Sequence, residues 1–119
     1  MILTETLWKL DSEKEGLDEL YRITTGTHKV ASLTGVSYKD IVNKLGEPSI
    51  NVASEDDKVQ VEWVFYYDGD NVFTLYDWKT YDLDYTKWEL RTWSIGGHNK
   101  NHEFEDLLTN ILGRKANIL

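Results

Sequence analysis

Large rings crowd one part of this chain. Trp63, Phe65, Tyr66, Tyr67, Phe73, Tyr76, Trp78, Tyr81, Tyr85, Trp88 and Trp93 all fall between residues 63 and 93, and Lys79, Lys87 and Arg91 are interleaved with them. One buried face of a three-stranded sheet cannot use so many rings. Some must cover the second face, meet another subunit or stack on a ligand. Aromatic planes beside local cations suit a nucleobase and a phosphate, through stacking and charge-assisted hydrogen bonds. Most of the rings are expected in the core or at a subunit contact, leaving about two or three for a ligand pocket.

The stretch Arg91-Thr92-Trp93-Ser94-Ile95-Gly96-Gly97-His98-Asn99 reads as a strand that passes through two glycines into the start of a helix. Backbone N–H groups freed there could receive an anionic oxygen, since glycine permits close approach. His98 and Asn99 would add directional donors. An ordinary helix start with capping polar residues accounts for the same letters equally well.

Catalytic chemistry has weaker support. His98 and His102 have the spacing of a two-histidine metal pair on a helix, but Gly96-Gly97 and a cap at Asn101 place His98 outside that helix. Carboxylates recur at 55–57, 68/70, 82/84 and 103–106, all in predicted turns or helix starts, where acids serve structural ends. No nucleophile elbow, Walker loop, dinucleotide fingerprint or calcium loop is present. The sequence therefore predicts a binding protein, not an enzyme, with no metal and no cofactor.

Composition narrows the partners. The chain has 119 residues, enough for one domain over 1–119, and 40 % of them are hydrophobic. Its 21 acidic against 13 basic residues give a net charge of −8, which disfavours direct DNA or RNA binding. A local basic pocket for one small phosphorylated ligand remains open, as does an acidic surface that occupies a basic protein channel. No apolar run is long enough for a bilayer span, the first ten residues lack a signal-peptide pattern and there is no Cys. These features predict an intracellular protein with no membrane contact.

The elements that must position these residues follow from periodicity. Ser12 with Glu15 fits a capping box opening a first helix through Leu17, Leu20 and Tyr21, ended by Thr24-Thr25-Gly26. Residues 1–10 read as extended or frayed, and a short strand is possible at Lys29–Leu33. Ser37 caps a second helix with Tyr38, Ile41, Val42 and Leu45 on one side, stopped by Gly46 and Pro48. Period two begins near Val59, turns at Asp68-Gly69-Asp70-Asn71 and resumes from Val72 to Lys79, predicting a hairpin. Val72, Thr74, Tyr76 and Trp78 share one face of its second strand, and Phe73, Leu75, Asp77 and Lys79 the other. Residues 80–87 read as an exposed loop and Trp88–Ile95 as a third strand. Asn101 caps a last helix with Phe104, Leu107, Leu108, Ile111 and Leu112 in a stripe. The fold class is α+β, helices packed on a small antiparallel sheet in the order α-α-β-β-β-α.

Two resemblances add expectations. Gly35-Val36-Ser37-Tyr38 through Leu45-Gly46-Glu47-Pro48 resembles the helix-plus-LGxP unit of small outer-membrane assembly lipoproteins and of β-lactamase inhibitor protein repeats. The lipoprotein cysteine and signal are missing, so only a local fold is implied. Over roughly the last two-thirds of the chain, Glu62-Trp63-Val64-Phe65, Phe73-Thr74-Leu75-Tyr76-Asp77-Trp78-Lys79 and Trp93-Ser94-Ile95-Gly96-Gly97 resemble small phage-encoded proteins of the Thoeris anti-defence sponge type. That resemblance implies a homo-oligomer in the host cytoplasm that sequesters a cyclic ADP-ribose isomer or cyclic oligonucleotide without cleaving it. Its pockets would lie at protomer boundaries, lined near the third strand. Adenine would stack on Tyr76, Trp88 or Trp93, phosphates would meet Lys79, Arg91 and the Gly96-Gly97 N–H groups, and Asn99 would hold a base or ribose edge. The alternative is an anti-CRISPR-like inhibitor whose acid runs at 55–57, 82–84 and 103–106 block a basic nucleic-acid channel.

Overall fold

The structure, a computed structural model, describes residues 1–81, 84 and 89–119. Among the described residues, six antiparallel strands curl into a half-barrel carrying four helices. In chain order they are β1 (Leu7–Lys9), α1 (Ser12–Glu15), α2 (Leu17–Thr24), β2 (His28–Thr34), α3 (Tyr38–Leu45), β3 (Glu62–Tyr67), β4 (Asn71–Tyr76), β5 (Thr92–Gly97), α4 (His102–Leu112) and β6 (Asn117–Ile118). The sheet order is β1-β3-β4-β5-β2-β6. The α+β class stands as read from the sequence, but the element order gains β1, β2 and β6.

These additions have local causes. The short strand read at Lys29–Leu33 is β2, one residue longer at each end; it buries Ala31 and Leu33 against β5, with a register shift between Lys29 and Ala31. β1 and β6 are too short to show a period at all. The first helix is also divided: Gly16 at φ 86° separates α1 from α2. Asp11, not Ser12, precedes α1, and its N–H donates to Glu15 Oε2 at 2.9 Å.

The other helices form as their caps predict. Ser37 Oγ accepts from the Asp40 N–H while Asp40 Oδ2 accepts from the Ser37 N–H, closing both ends of a capping box on α3. Asn101 Oδ1 accepts from the Phe104 N–H at 2.9 Å at the start of α4.

The main core lies between α3, α4 and one face of the sheet. Trp63, Phe65 and Tyr67 of β3, Phe73 and Leu75 of β4, and Trp93 and Ile95 of β5 meet Ile41, Leu45, Phe104, Leu108 and Leu112 there. Two indoles hold α3 at its two ends. Trp93 Nε1 donates to Val36 O before the helix and Trp63 Nε1 to Gly46 O after it, both at 2.9 Å. The two rings meet edge to face, 5.7 Å between centroids. Phe104 in turn stacks on Phe73 at 4.1 Å, which fixes α4. On the opposite face, α2 places Leu20 over Val64 and Val72 in a smaller cluster with Leu10 and Ile50. Both faces are thus covered, the second only in part by helix.

Candidate functional site

Next to the α2 cluster the same face turns polar. Pairing places Glu62 of β3 opposite Tyr76 of β4, Tyr76 opposite Ser94 of β5, and Ser94 opposite Ser32 of β2. One residue pair along, Thr74 lies between Val64 and Gly96, and Gly96 lies opposite Lys29. Four adjacent strands therefore carry a row of one carboxyl, one phenol and two hydroxyls, with a further hydroxyl and a glycine beside it.

Gly96 makes the row possible. A Cβ at that position would lie 2.5 Å from Thr74 Oγ1 and 3.2 Å from a Tyr76 ring carbon. The neighbouring Gly97 serves the other face, where a Cβ would come within 2.9 Å of the Phe73 ring. The expectation that Gly96-Gly97 frees N–H groups at a helix start is therefore corrected. Both glycines lie inside β5, in register with β4 and β2, and they make room for side chains, one on each face.

Electrostatics sets the row apart. Burial is the largest influence on the Glu62 carboxyl and pushes it from 4.5 to about 7; the Thr74 hydroxyl opposes this shift and the charge of Asp77 adds to it. Burial likewise raises the Tyr76 phenol above its ordinary range, helped by Glu62 and opposed by Ser94. Thr74 is 1 % exposed, and its Oγ1 is the buried side-chain polar atom that makes no hydrogen bond among the described residues. Asp77 itself is well satisfied. Its Oδ1 accepts from the N–H groups of Gln60 and Val61 at 2.7 and 2.9 Å, and its Oδ2 from the Thr80 hydroxyl, so it ties the segment before β3 to the chain after β4.

Of the nine residues expected to line one pocket, the eight described ones do not lie together within one chain. Tyr76 and Gly96 are neighbours on the polar face. Trp93 lies in the apolar core on the other face, 1 % exposed and hydrogen-bonded to Val36, so it offers no ring to a ligand. Arg91 precedes β5 and turns toward α3, 3.6 Å from Asp40. The Ser37 N–H holds that Asp40 carboxyl below its ordinary range, with smaller contributions from Lys115 and Arg91. Lys79, left-handed at φ 57°, lies with Lys58 against the exposed Trp78 ring, their Nζ atoms 5.9 and 5.8 Å from its centroid. His98 and Asn99 lie past the far end of β5, in a cleft of about 250 Å³ shared with Asp70, Asn71 and Lys100. Six residues of extended chain separate Arg91 from His98, on the order of 20 Å. Trp88 lies outside the described residues.

Sequence reasoning missed Glu62 and Asp77. The signal for Glu62 was present: an acid inside Val61-Glu62-Trp63-Val64-Phe65, alternating onto the same face as Val64 and Tyr66. Asp77 was placed on the face of Phe73 and Leu75 without its burial being drawn from that.

The acid runs are partly engaged within the chain. Glu105 is buried and paired with Lys100 at 3.0 Å, and Asp56 accepts from Ser54 Oγ and the Lys58 N–H. Among the described residues no group of three or more His, Cys, Asp or Glu converges as a metal site, and no helix is long and apolar enough to cross a membrane. The chain matches no protein-family model, no curated protein and no solved structure.

Proposed function

We propose that this protein captures a nucleotide-derived signal without cleaving it, holding the ligand on the sheet face around Tyr76. The observation that carries this reading is the row Glu62–Tyr76–Ser94, with the buried Thr74 hydroxyl next to it. A face shaped only for packing would be apolar, as the opposite face is. Here a carboxyl that burial pushes up to about 7, a half-buried ring and two hydroxyls share one patch, at a cost to stability. Such departures from good packing concentrate where a protein binds or reacts. Tyr76 supplies a plane for a heterocycle, and Glu62, Thr74 and Ser94 supply hydrogen bonds to its edge. The resemblance to sponge proteins gives the ligand class, a cyclic ADP-ribose isomer or cyclic oligonucleotide, and the role, phage anti-defence by a homo-oligomer in the host cytoplasm.

Native mass spectrometry before and after incubation with a panel of these ligands tests the reading. An oligomer that gains intact ligand mass, released unchanged on denaturation, is the expected result. Recovery of cleaved ligand would overturn non-catalytic capture. No mass gain from any member would overturn capture of this ligand class.

A further inference from the structure

We propose that the outer edge of the sheet, around Trp8, Tyr66 and Glu5, docks an arginine side chain presented by a basic protein segment. This surface lies at the other end of β3 from the Glu62 row, and the proposal is independent of the capture reading.

β1 is an edge strand, and its alternation buries Leu7 and Lys9 while Trp8 points to the other face, 44 % exposed. Register sets Trp8 directly opposite Tyr66 of β3, and Tyr66 opposite Val72 of β4. The α2 cluster takes in Val72 and the inner side of Tyr66, but the indole stays open. On its outer side Ile2 bridges back to Trp8 and is itself 65 % exposed. Ile2, Trp8 and Tyr66 line a cavity of about 540 Å³ together with Thr4, Glu5 and Gly69. Two rings on neighbouring strands thus form one wall of an open groove with a carboxylate in it.

The chemistry of the groove selects its occupant. The Leu3 and Thr4 N–H groups donate to Leu7 O and the Lys9 N–H donates to Met1 O, so the backbone edge of β1 is taken and an added strand finds no partner there. Recognition falls to side chains. Among the described residues that line the groove, Glu5 is the charged one. Asp68, whose N–H donates to Thr6 O at 2.7 Å, and Asp70 flank Gly69 and extend the negative rim. Arg22, the cation that acts on Tyr66, is held by Glu19 through both Nε and Nη2. A phosphate therefore meets no counter-charge on these walls. Thr4 Oγ1 already accepts from the Thr6 and Leu7 N–H groups, which leaves little for a sugar. Rings beside an acid suit a cation. A guanidinium stacks flat on a ring face and forks onto a carboxylate, whereas an ammonium offers only a compact, strongly hydrated charge. The net charge of −8 draws a basic partner toward this surface.

The test titrates the nitrogen-15-labelled full chain with a hexa-arginine peptide and with hexa-lysine of equal charge, at physiological salt. The Trp8 indole N–H, assigned with Trp8→Leu, is expected to shift, and hexa-arginine to bind about tenfold more tightly than hexa-lysine. Trp8→Leu should weaken hexa-arginine about tenfold and bring the two peptides level, and Glu5→Gln should weaken it about threefold. Equal binding of the two peptides by wild type, or wild-type affinity in Trp8→Leu, would reduce the contact to diffuse charge attraction and overturn the proposal. So would the absence of any binding. A wild-type dimer in gel filtration that Trp8→Leu dissociates would show that a second copy covers this face, and the proposal would fall on that result too. Circular dichroism melts establish that both variants are folded; if Trp8→Leu does not fold, the comparison of peptides on wild type and Glu5→Gln decides. None of these outcomes bears on capture of a nucleotide-derived ligand.

Discussion

On one face of the sheet Trp63, Phe65, Phe73, Leu75, Trp93 and Ile95 pack under α3 and α4, with both indole N–H groups bonded. On the other face, the same strands carry Glu62, Thr74, Tyr76 and Ser94, with the Thr74 hydroxyl buried and one carboxyl shifted to about 7. Strand alternation gives each strand one residue for each purpose, so the two faces can be optimised separately. The first face holds the fold together, and the second keeps polar groups buried at a cost to stability. Even the glycine pair divides this way, Gly96 serving the polar face and Gly97 the apolar one.

Substitutions can break or sharpen this contrast. The largest effect belongs to the packed face. Phe104→Ala removes the ring stacked on Phe73 and edged by Phe65 and Tyr67, and should cost about 3–5 kcal/mol in denaturant unfolding. A loss below about 1 kcal/mol would mean that α4 does not pack as described.

Glu62→Gln on the polar face should act in the opposite direction. The folded-state pKa lies above the unfolded value, so the wild-type chain is most stable, as far as this group is concerned, below about pH 4.5. That contribution is lost as pH rises through about 7. A shift of this size corresponds to on the order of 3 kcal/mol. Glu62→Gln should therefore unfold at higher denaturant than wild type at pH 8, and the slope of stability between pH 4.5 and 7 should flatten. Equal midpoints at pH 8 would remove the strain assigned to this face.

The smallest effect is expected at Arg91, exposed and 3.6 Å from Asp40. Arg91→Ala should change stability by less than about 1 kcal/mol, since exposed ion pairs contribute little. A larger loss in a thermal melt would show that the edge near α3 matters more to the fold than its exposure suggests.

Much of this architecture was legible in the letters. Ser37, Gly46 and Pro48 bound α3, Asn101 caps α4, and the period-two runs around Asp68-Gly69 give the hairpin of β3 and β4. β2 was legible at Lys29–Leu33, where Ala31 and Leu33 alternate inward, and the structure extends it by one residue at each end. The candidate site was less legible still. Residue type alone nominated Trp93 and Arg91, but strand parity and the register of β5 send one into the core and the other toward α3. Tyr76 was nominated for its ring, and its setting beside Glu62 depends on cross-strand register, a long-range property that no local pattern encodes. The glycines were read as a turn because glycine usually marks one. Their actual role, clearance on two faces, depends on neighbours from another strand.

The most direct measurement is a carbon-13 NMR titration of the side-chain carboxyls of the free protein, with Glu62→Gln used to assign the signal. The account predicts that the Glu62 carboxyl titrates near pH 7. A midpoint at the ordinary glutamate value near 4.5 would contradict it, because the polar face would then hold an ordinary solvated acid and not a buried one.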